Sequence, residues 1–330
     1  MKDKKKIVVF DGPFKKLCTK YISYKRSLGY DFGIKTECSI RNMDRFFKNY
    51  HLSNPKLTKE MVLSFSAYRK DESLKTQNYR MCLIRQFAIF LVRLGYDAYI
   101  LPVRFVKIKK TFTPYIFTYD QISKIIKASD NLIIRKQSPY RHLIAPTIIR
   151  MLYGSGLRIS EALSLKVSDV NLQDGILTVT KSKFNKSRLV PMSESLTQVC
   201  RDYAAKMNFS IKENGYFFPA PDKGRYDRHA IYVMFKYLLR QTGIMPAGCS
   251  KGFRLHDVRH TFSVHALEKM VRQGSDIYCS LPILCTYLGH TGIESTQKYL
   301  RLTTQSFSSI TDPLENLFKG AFAEVDTDEK

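Results

Sequence analysis

Three short runs of this chain hold side chains that could act on one phosphodiester: MLYGSGLRISEAL at 151–163, RLHDVRHTF at 254–262 and LGHTGIESTQKYL at 288–300. Together they supply two guanidiniums (Arg158, Arg259), imidazoles (His256, His260, His290) and a phenol (Tyr299). A guanidinium stays charged at any working pH and presents two parallel donors to phosphate oxygens. His256 and Arg259 lie three apart at the start of a predicted helix, hence on one face. A donor pair there can grip both nonbridging oxygens and stabilise the charge added in a pentacoordinate transition state. Tyrosine suits the nucleophile's role, because a phosphotyrosyl ester keeps energy comparable to the original linkage and the strand rejoins without ATP. Fixed cations also explain how a phenol of intrinsic pKa near ~10 is activated without a metal.

Each residue also has an ordinary explanation. Arg158 could simply pair with Glu161, and Tyr299 is one of 20 tyrosines, so its claim rests on its company. The His256 to His260 spacing mimics the ends of the zinc-protease motif H-E-x-x-H, but Asp257 replaces the required glutamate and Arg259 would set a cation beside the metal. No metal and no cofactor is expected.

The elements that must carry these groups follow from periodicity. Tyr153-Gly-Ser-Gly156 ends a predicted helix over 139–153, bent at Pro146, and Ser160-Glu-Ala-Leu163 opens the next, so Arg158 projects from a joint. Upstream, Thr118-Tyr-Asp-Gln121 matches a capping box and starts the second half of the chain. Val167 to Leu172, Ile176 to Thr180 and Arg188 to Met192 read as three short strands, with turns at Gln173-Asp-Gly175 and around Lys183 to Lys186. Helices are predicted at 193–207, 228–241, 256–272, 281–289, 293–301 and 312–322. Residues 12–95 repeat apolar positions at helical spacing, as in Tyr79-Leu83-Phe87-Leu91, and form a small helical module whose aromatics are expected in its core. The predicted fold is thus mainly α with a small antiparallel sheet, in two domains: 1–112, ending in a basic linker over 101–114, and 115–330, with a C-terminal tail over 307–330.

Charge narrows the partner. The chain carries a net charge of +25 over 330 residues, from 54 basic and 29 acidic side chains. Residues 1–112 hold 25 lysines and arginines against nine acids, a surplus of 16 that leaves nine for the remainder. Such a surface attracts polyanions and gains affinity when DNA counterions are released. Arg104, Lys107, Lys109 and Lys110 crowd the linker, where they could touch phosphates as the chain crosses. Seven cysteines without a C-x-x-C pair fit neither a disulfide framework nor a zinc knuckle. No run approaches the ~20 apolar residues of a membrane helix, and the lysine-rich start lacks a signal-peptide core. The expectation is a cytoplasmic, nucleoid-associated protein.

These boxes resemble the tyrosine recombinase (phage integrase) family. Its first box, G-x-G-L-R-x-x-E-x-L, matches Gly154 to Leu163; its second, H-x-L-R-H, matches His256 to His260 with Val258 for leucine. Its L-G-H step, followed nine residues later by the nucleophile, matches Leu288-Gly289-His290 and Tyr299. The resemblance implies that Arg158 and Arg259 clamp the scissile phosphate, that His256 and His290 donate hydrogen bonds to it and assist the tyrosine proton, and that Tyr299 takes the 3′-phosphate. Lys183, in the hairpin between the second and third strands, would protonate the departing 5′-oxygen. Its neighbours Ser182 and Phe184 replace the usual glycines, so Lys181 and Lys186 remain alternatives, although register with Val190-Pro191 favours Lys183. Glu161 and His260 would be supporting residues. The interval from His256 to His290 is longer than usual by roughly two helical turns, with the surplus near Arg272 to Leu281.

The resemblance further implies a C-shaped clamp on duplex DNA and a tetramer, of this chain or with related recombinases, that joins two specific sites through a Holliday junction. The tail's apolar positions Ile310, Leu314, Leu317, Phe318 and Phe322 suit docking onto a neighbouring subunit or folding back on their own domain. The leading expectation is therefore a site-specific recombinase serving the integration, excision or transposition of a mobile element. Two rivals are a type IB topoisomerase, disfavoured by the short chain, and a catalytically silent DNA-binding regulator, disfavoured because none of the six residues is missing.

Overall fold

A computed structural model describes residues 8–50, 52–103, 113–134, 136, 138–180, 187–209, 215–245, 252–290, 292, 296, 297 and 299. The chain divides into two compact units, Met1–Phe112 and Thr113–Lys330. It is mainly helical, with one small antiparallel sheet in the second unit.

In the first unit the apolar spacing produces four helices: α1 (Lys15–Ser27), α2 (Ile34–Phe46), α3 (Lys59–Ser66) and α4 (Leu74–Arg93). Thr58 and Ser73 start α3 and α4 by accepting the backbone N–H of Met61 and Thr76, which satisfies donors a helix start leaves open. The aromatics fill the core, as their spacing implies: Phe14 meets Phe47 and Phe87 edge-on, with ring centroids 5.7 and 5.8 Å apart. Buried Asp44 fixes the chain's entry by accepting the N–H groups of Gly12 and Phe14, each at 2.8 Å.

The second unit opens at α5 (Tyr119–Asp130), where Thr118 and Gln121 form the expected reciprocal cap. It continues through α6 (Arg141–Ser155), α7 (Ile159–Ala162), strands β1 (Val170–Asn171), β2 (Ile176–Val179) and β3 (Arg188–Pro191), then α8 (Glu194–Lys206), α9 (Arg228–Gln241), α10 (Leu255–Arg272) and α11 (Ile277–Leu288). The strands pair in order β1-β2-β3, with Leu177 opposite both Val170 and Val190. These three valine and leucine side chains face the main core, which also takes Ile148, Leu152, Phe217, Phe235 and Val258. A second cluster of Val264, Leu267, Leu281, Leu284 and Leu288 locks α10 to α11 and includes the ring of Tyr299.

Two expectations need correction. The strand predicted over 167–172 is only two residues long, because Asp169 accepts the N–H of Lys166 at 2.9 Å and coils Val167–Asp169 into a 3₁₀ turn. This is local side-chain competition with the ladder. The helix predicted over 281–289 begins earlier, at Ile277, since Asp276 caps Tyr278 and Cys279, and Pro282 sits inside it. The hairpin 181–186, the linker at 104–112 and the tail from 301 onward lie outside the described residues. Among the described residues no helix is long and apolar enough to cross a membrane, and the six described cysteines are free thiols.

Candidate active site

Helices α6 and α11 both stop on a glycine in the left-handed conformation, Gly156 at φ 59° and Gly289 at φ 66°. Glycine accepts that conformation without steric cost, and each also lacks room for a side chain. A Cβ on Gly156 would lie 2.3 Å from the Phe262 ring, and one on Gly289 would lie 3.0 Å from Arg188. The glycines of the first and third boxes are thus stops that turn the chain toward Arg158 and His290.

A helix end leaves backbone carbonyls open and carries partial negative charge. Here arginines fill that role. Arg259 donates to the carbonyl of Gly156 at 2.6 Å and to that of Leu288 at 2.7 Å. Arg158 reaches the Gly289 carbonyl at 3.4 Å, and Arg188 donates through Nε to the Tyr287 carbonyl at 3.0 Å. Three guanidiniums therefore converge on the ends of two helices.

Like charges this close need a counter-ion, and Glu161 supplies it. Its Oε1 accepts from Arg158 at 2.6 Å, Arg188 spans both its oxygens at 3.2 and 3.0 Å, and Arg259 lies 3.9 Å from Oε2. The pairing of Arg158 with Glu161, which the sequence offered as the plain alternative, is present; the same carboxylate also serves the other two arginines. One buried carboxylate against three cations leaves a local excess of positive charge, suited to an anion. Burial, followed by the Arg158 charge, lowers Arg259 to about 10, still protonated at neutral pH.

Arg188 is the residue that sequence reasoning missed, named there only as the start of the third strand. No spacing reveals it, because its partners Glu161 and Tyr287 lie 27 and 99 residues away. Side-chain packing brings it to the cluster. Its strand follows residues 181–186, which include Lys183 and lie outside the described residues.

The imidazoles complete the group. The Nη2 of Arg259 lies 3.1 Å from His290 Nε2; a guanidinium can only donate, so Nε2 accepts and the ring proton is on Nδ1, directed at Thr296 Oγ1 at 2.9 Å. In this arrangement His290 accepts toward the arginine, the reverse of the donor role that resemblance implies. His256 keeps part of its surface open and meets the His260 ring edge-on at 4.7 Å. Asp257 is committed elsewhere, accepting the N–H of Arg254 at 2.7 Å to begin α10. His260 Nδ1 lies 3.2 Å from the phenol oxygen of Tyr299, and the Tyr299 ring stacks on His290 at 6.2 Å. Desolvation first, and neighbouring cations after it, hold His256 and His290 down at about 4; for His260, at about 3, the His256 charge follows desolvation. All three rings are neutral at pH 7.

Five of the six candidate residues, Arg158, His256, Arg259, His290 and Tyr299, are thus joined in one network through Glu161, His260 and helix-end carbonyls. Lys183 lies outside the described residues. Among the described residues no three His, Cys, Asp or Glu side chains are grouped to hold a metal ion.

Comparisons with known proteins give the family and the fold. The Phage integrase family pattern matches residues 116–306. A protein of Sinorhizobium fredii named as an integrase or recombinase, y4rB, is 30% identical over 295 residues, covering 87% of this chain and 92% of its own length. The tyrosine recombinase XerD of Oceanobacillus iheyensis is 28% identical, covering 75% of this chain and 79% of its own. In fold, the chain is similar to the site-specific recombinase XerH bound to its difH substrate before cleavage (TM-score 0.61, 18% identity, 87% of this chain and 80% of that one). It is also similar to the Tn1549 transposon integrase bound to transposon right-end DNA (TM-score 0.58, 19% identity, 86% and 94%). The chain belongs to the phage integrase family, and is an enzyme of the tyrosine-type site-specific recombinase class.

Proposed function

We propose that this enzyme binds duplex DNA at specific recombination sites, cleaves each strand through a 3′-phosphotyrosine linkage at Tyr299 and exchanges strands through a Holliday junction, in the integration, excision or transposition of a mobile element. The observation that carries the proposal is the convergence of Arg158, Arg259 and the Tyr299 phenol within one network anchored on Glu161 and the ends of α6 and α11. The local excess of guanidinium over carboxylate favours a bound phosphodiester and stabilises the extra charge of its transition state. Arg158 and Arg259 clamp the nonbridging oxygens. His256 and His290 donate to the same phosphate, which for His290 requires its Nε2 to gain a proton as well as to exchange Arg259 for the phosphate oxygen. Lys183 delivers the proton to the departing 5′-oxygen.

The helical unit 1–112, which holds most of the positive surplus, grips the duplex with the basic linker, while 115–330 carries the chemistry. Four subunits bring two sites together. DNA as the partner places the protein in the nucleoid. The likeness to a transposon integrase and to a relative named as an integrase supports the mobile-element role.

A nicked duplex cut from the DNA flanking the protein's own gene tests this directly. Wild type forms a covalent protein-DNA adduct insensitive to magnesium chelation, and Tyr299→Phe forms none while still binding. An adduct that persists in Tyr299→Phe would sink the assignment; relaxation of supercoiled plasmid lacking any defined site would point to a topoisomerase.

A further inference from the structure

Phosphoryl transfer to tyrosine leaves one proton without a destination: the phenol must lose it as its oxygen bonds to phosphorus. Resemblance directs that task to His256 or His290. The geometry directs it elsewhere. His290 has both ring nitrogens engaged, Nε2 by Arg259 and Nδ1 by Thr296, and it offers Tyr299 the face of its ring. His256 points its ring at His260. His260 Nδ1 lies 3.2 Å from the phenol oxygen, and α10 holds the ring there one position beyond Arg259, whose own contacts to Gly156 and Leu288 fix that turn of the helix.

We propose that His260, so far only a supporting residue, is a catalytic residue: its Nδ1 takes the Tyr299 proton as the phenol attacks the scissile phosphate. The proposal rests on Tyr299 being the nucleophile. The balance is complete. The Tyr299 O–H bond breaks and an N–H bond forms on His260 Nδ1; the phenol oxygen joins phosphorus as the P–O5′ bond breaks; the 5′-oxygen takes a separate proton from Lys183. On rejoining, the 5′-hydroxyl returns its proton to Lys183 and the His260 imidazolium returns the other to the leaving phenolate.

The charged and titratable groups around His260 set when this happens. Arg254, His256 and Arg259 on α10, His290 beyond α11 and the Tyr299 phenol all face it. In free enzyme the ring is neutral, and in its Nε2–H tautomer Nδ1 is open to accept from the phenol, while the same desolvation and cations keep it a weak base. A bound phosphodiester adds negative charge against those cations and strengthens the base. The nucleophile is therefore activated when its target is in place.

Single-turnover adduct formation on the nicked flanking duplex, followed from pH 7 to 9 with DNA saturating, tests the assignment. A positioned base contributes roughly 10²–10⁴-fold, so His260→Ala is expected to fall about 100-fold at pH 7. Its defect shrinks about tenfold per pH unit, as hydroxide takes over deprotonation, while wild type stays flat. His260→Asn, which keeps an acceptor near the Nδ1 position but takes no proton, behaves like His260→Ala. A pH-independent defect, a full rescue by asparagine, or variants as fast as or faster than wild type would each overturn the role of His260. Failure of Tyr299 as nucleophile is a separate result, read from an adduct that persists in Tyr299→Phe.

Discussion

Both units close a helix end with a buried arginine and a carboxylate, yet they do so at different ratios. In the first unit Arg80 donates to the carbonyls of Phe65 and Ala67 at the end of α3 and pairs with Glu72, one cation to one anion. In the second, Glu161 faces Arg158, Arg188 and Arg259 at the ends of α6 and α11. The first arrangement is neutral and does no more than staple α4 to α3. The second is held together by its carboxylate but stays cationic, and charge left over after folding is available to a ligand. Stoichiometry separates a structural ion pair from a site.

The sharpest way to break that contrast is to neutralise each carboxylate. Glu161→Gln strands three buried or half-buried guanidiniums, so about 3–5 kcal/mol of stability should be lost, seen as a lower unfolding midpoint, together with a fall in adduct formation of about 100-fold or more. Glu72→Gln should cost only about 1–3 kcal/mol and leave cleavage of saturating DNA unchanged. Equal effects on cleavage would erase the distinction.

Removing the arginines sharpens it. Arg188→Met should slow adduct formation about 10- to 100-fold, because Glu161 and the chain turn before His290 lose a shared brace and displacements near 1 Å are that costly, while the dissociation constant for DNA changes little. Arg80→Met should lower stability alone.

Acid separates the units next. His256, His260, His265 and His290 are held at about 4, 3, 4 and 4 in the fold, against ~6.5 in an unfolded chain. Between these values the unfolded chain binds more protons, so stability falls as pH drops from about 6.5 toward 4. In the first unit Asp11 is lowered to about 2 by Arg45 and Lys48, so its contribution is present above the ordinary carboxylate range and is lost only as pH falls toward about 2. Proteolysis across a pH series should therefore cut the second unit first; the reverse order would contradict the assignment of neutral imidazoles held below their ordinary range.

The smallest contrast is between two glycines. Gly95, at φ 82° with open space around it, should lose about 1 kcal/mol on change to alanine. Gly289→Ala adds a clash with Arg188 to similar backbone strain, so it should also slow cleavage. Thermal melts and adduct rates measured side by side distinguish the two.

What was legible in the sequence divides along the same line. Contacts between near neighbours were readable: the Thr118 to Gln121 cap, the helix end at Tyr153 to Gly156, the pairing of Arg158 with Glu161 and the helical spacing that buries Phe14 and Phe87. Five of the six residues that the boxes name, Arg158, His256, Arg259, His290 and Tyr299, lie in one network, while Lys183 is outside the described residues. Arg188 stayed hidden because tertiary packing alone unites it with Glu161 and Tyr287, and His260 looked secondary because adjacency to Arg259 says nothing of the phenol 39 positions on. The strand over 167–172 failed on a single aspartate whose carboxylate outcompeted the ladder.

The two carbonyls held by Arg259 belong to residues 103 positions before it and 29 after it. A ribosome delivers these partners at very different times. Until Leu288 has emerged and α11 has docked, a half-made chain can lodge the guanidinium on the Gly156 carbonyl but lacks its second anchor. This corner of the fold is therefore completed late in synthesis, when α11 supplies the carbonyl that fixes the second arm of the guanidinium.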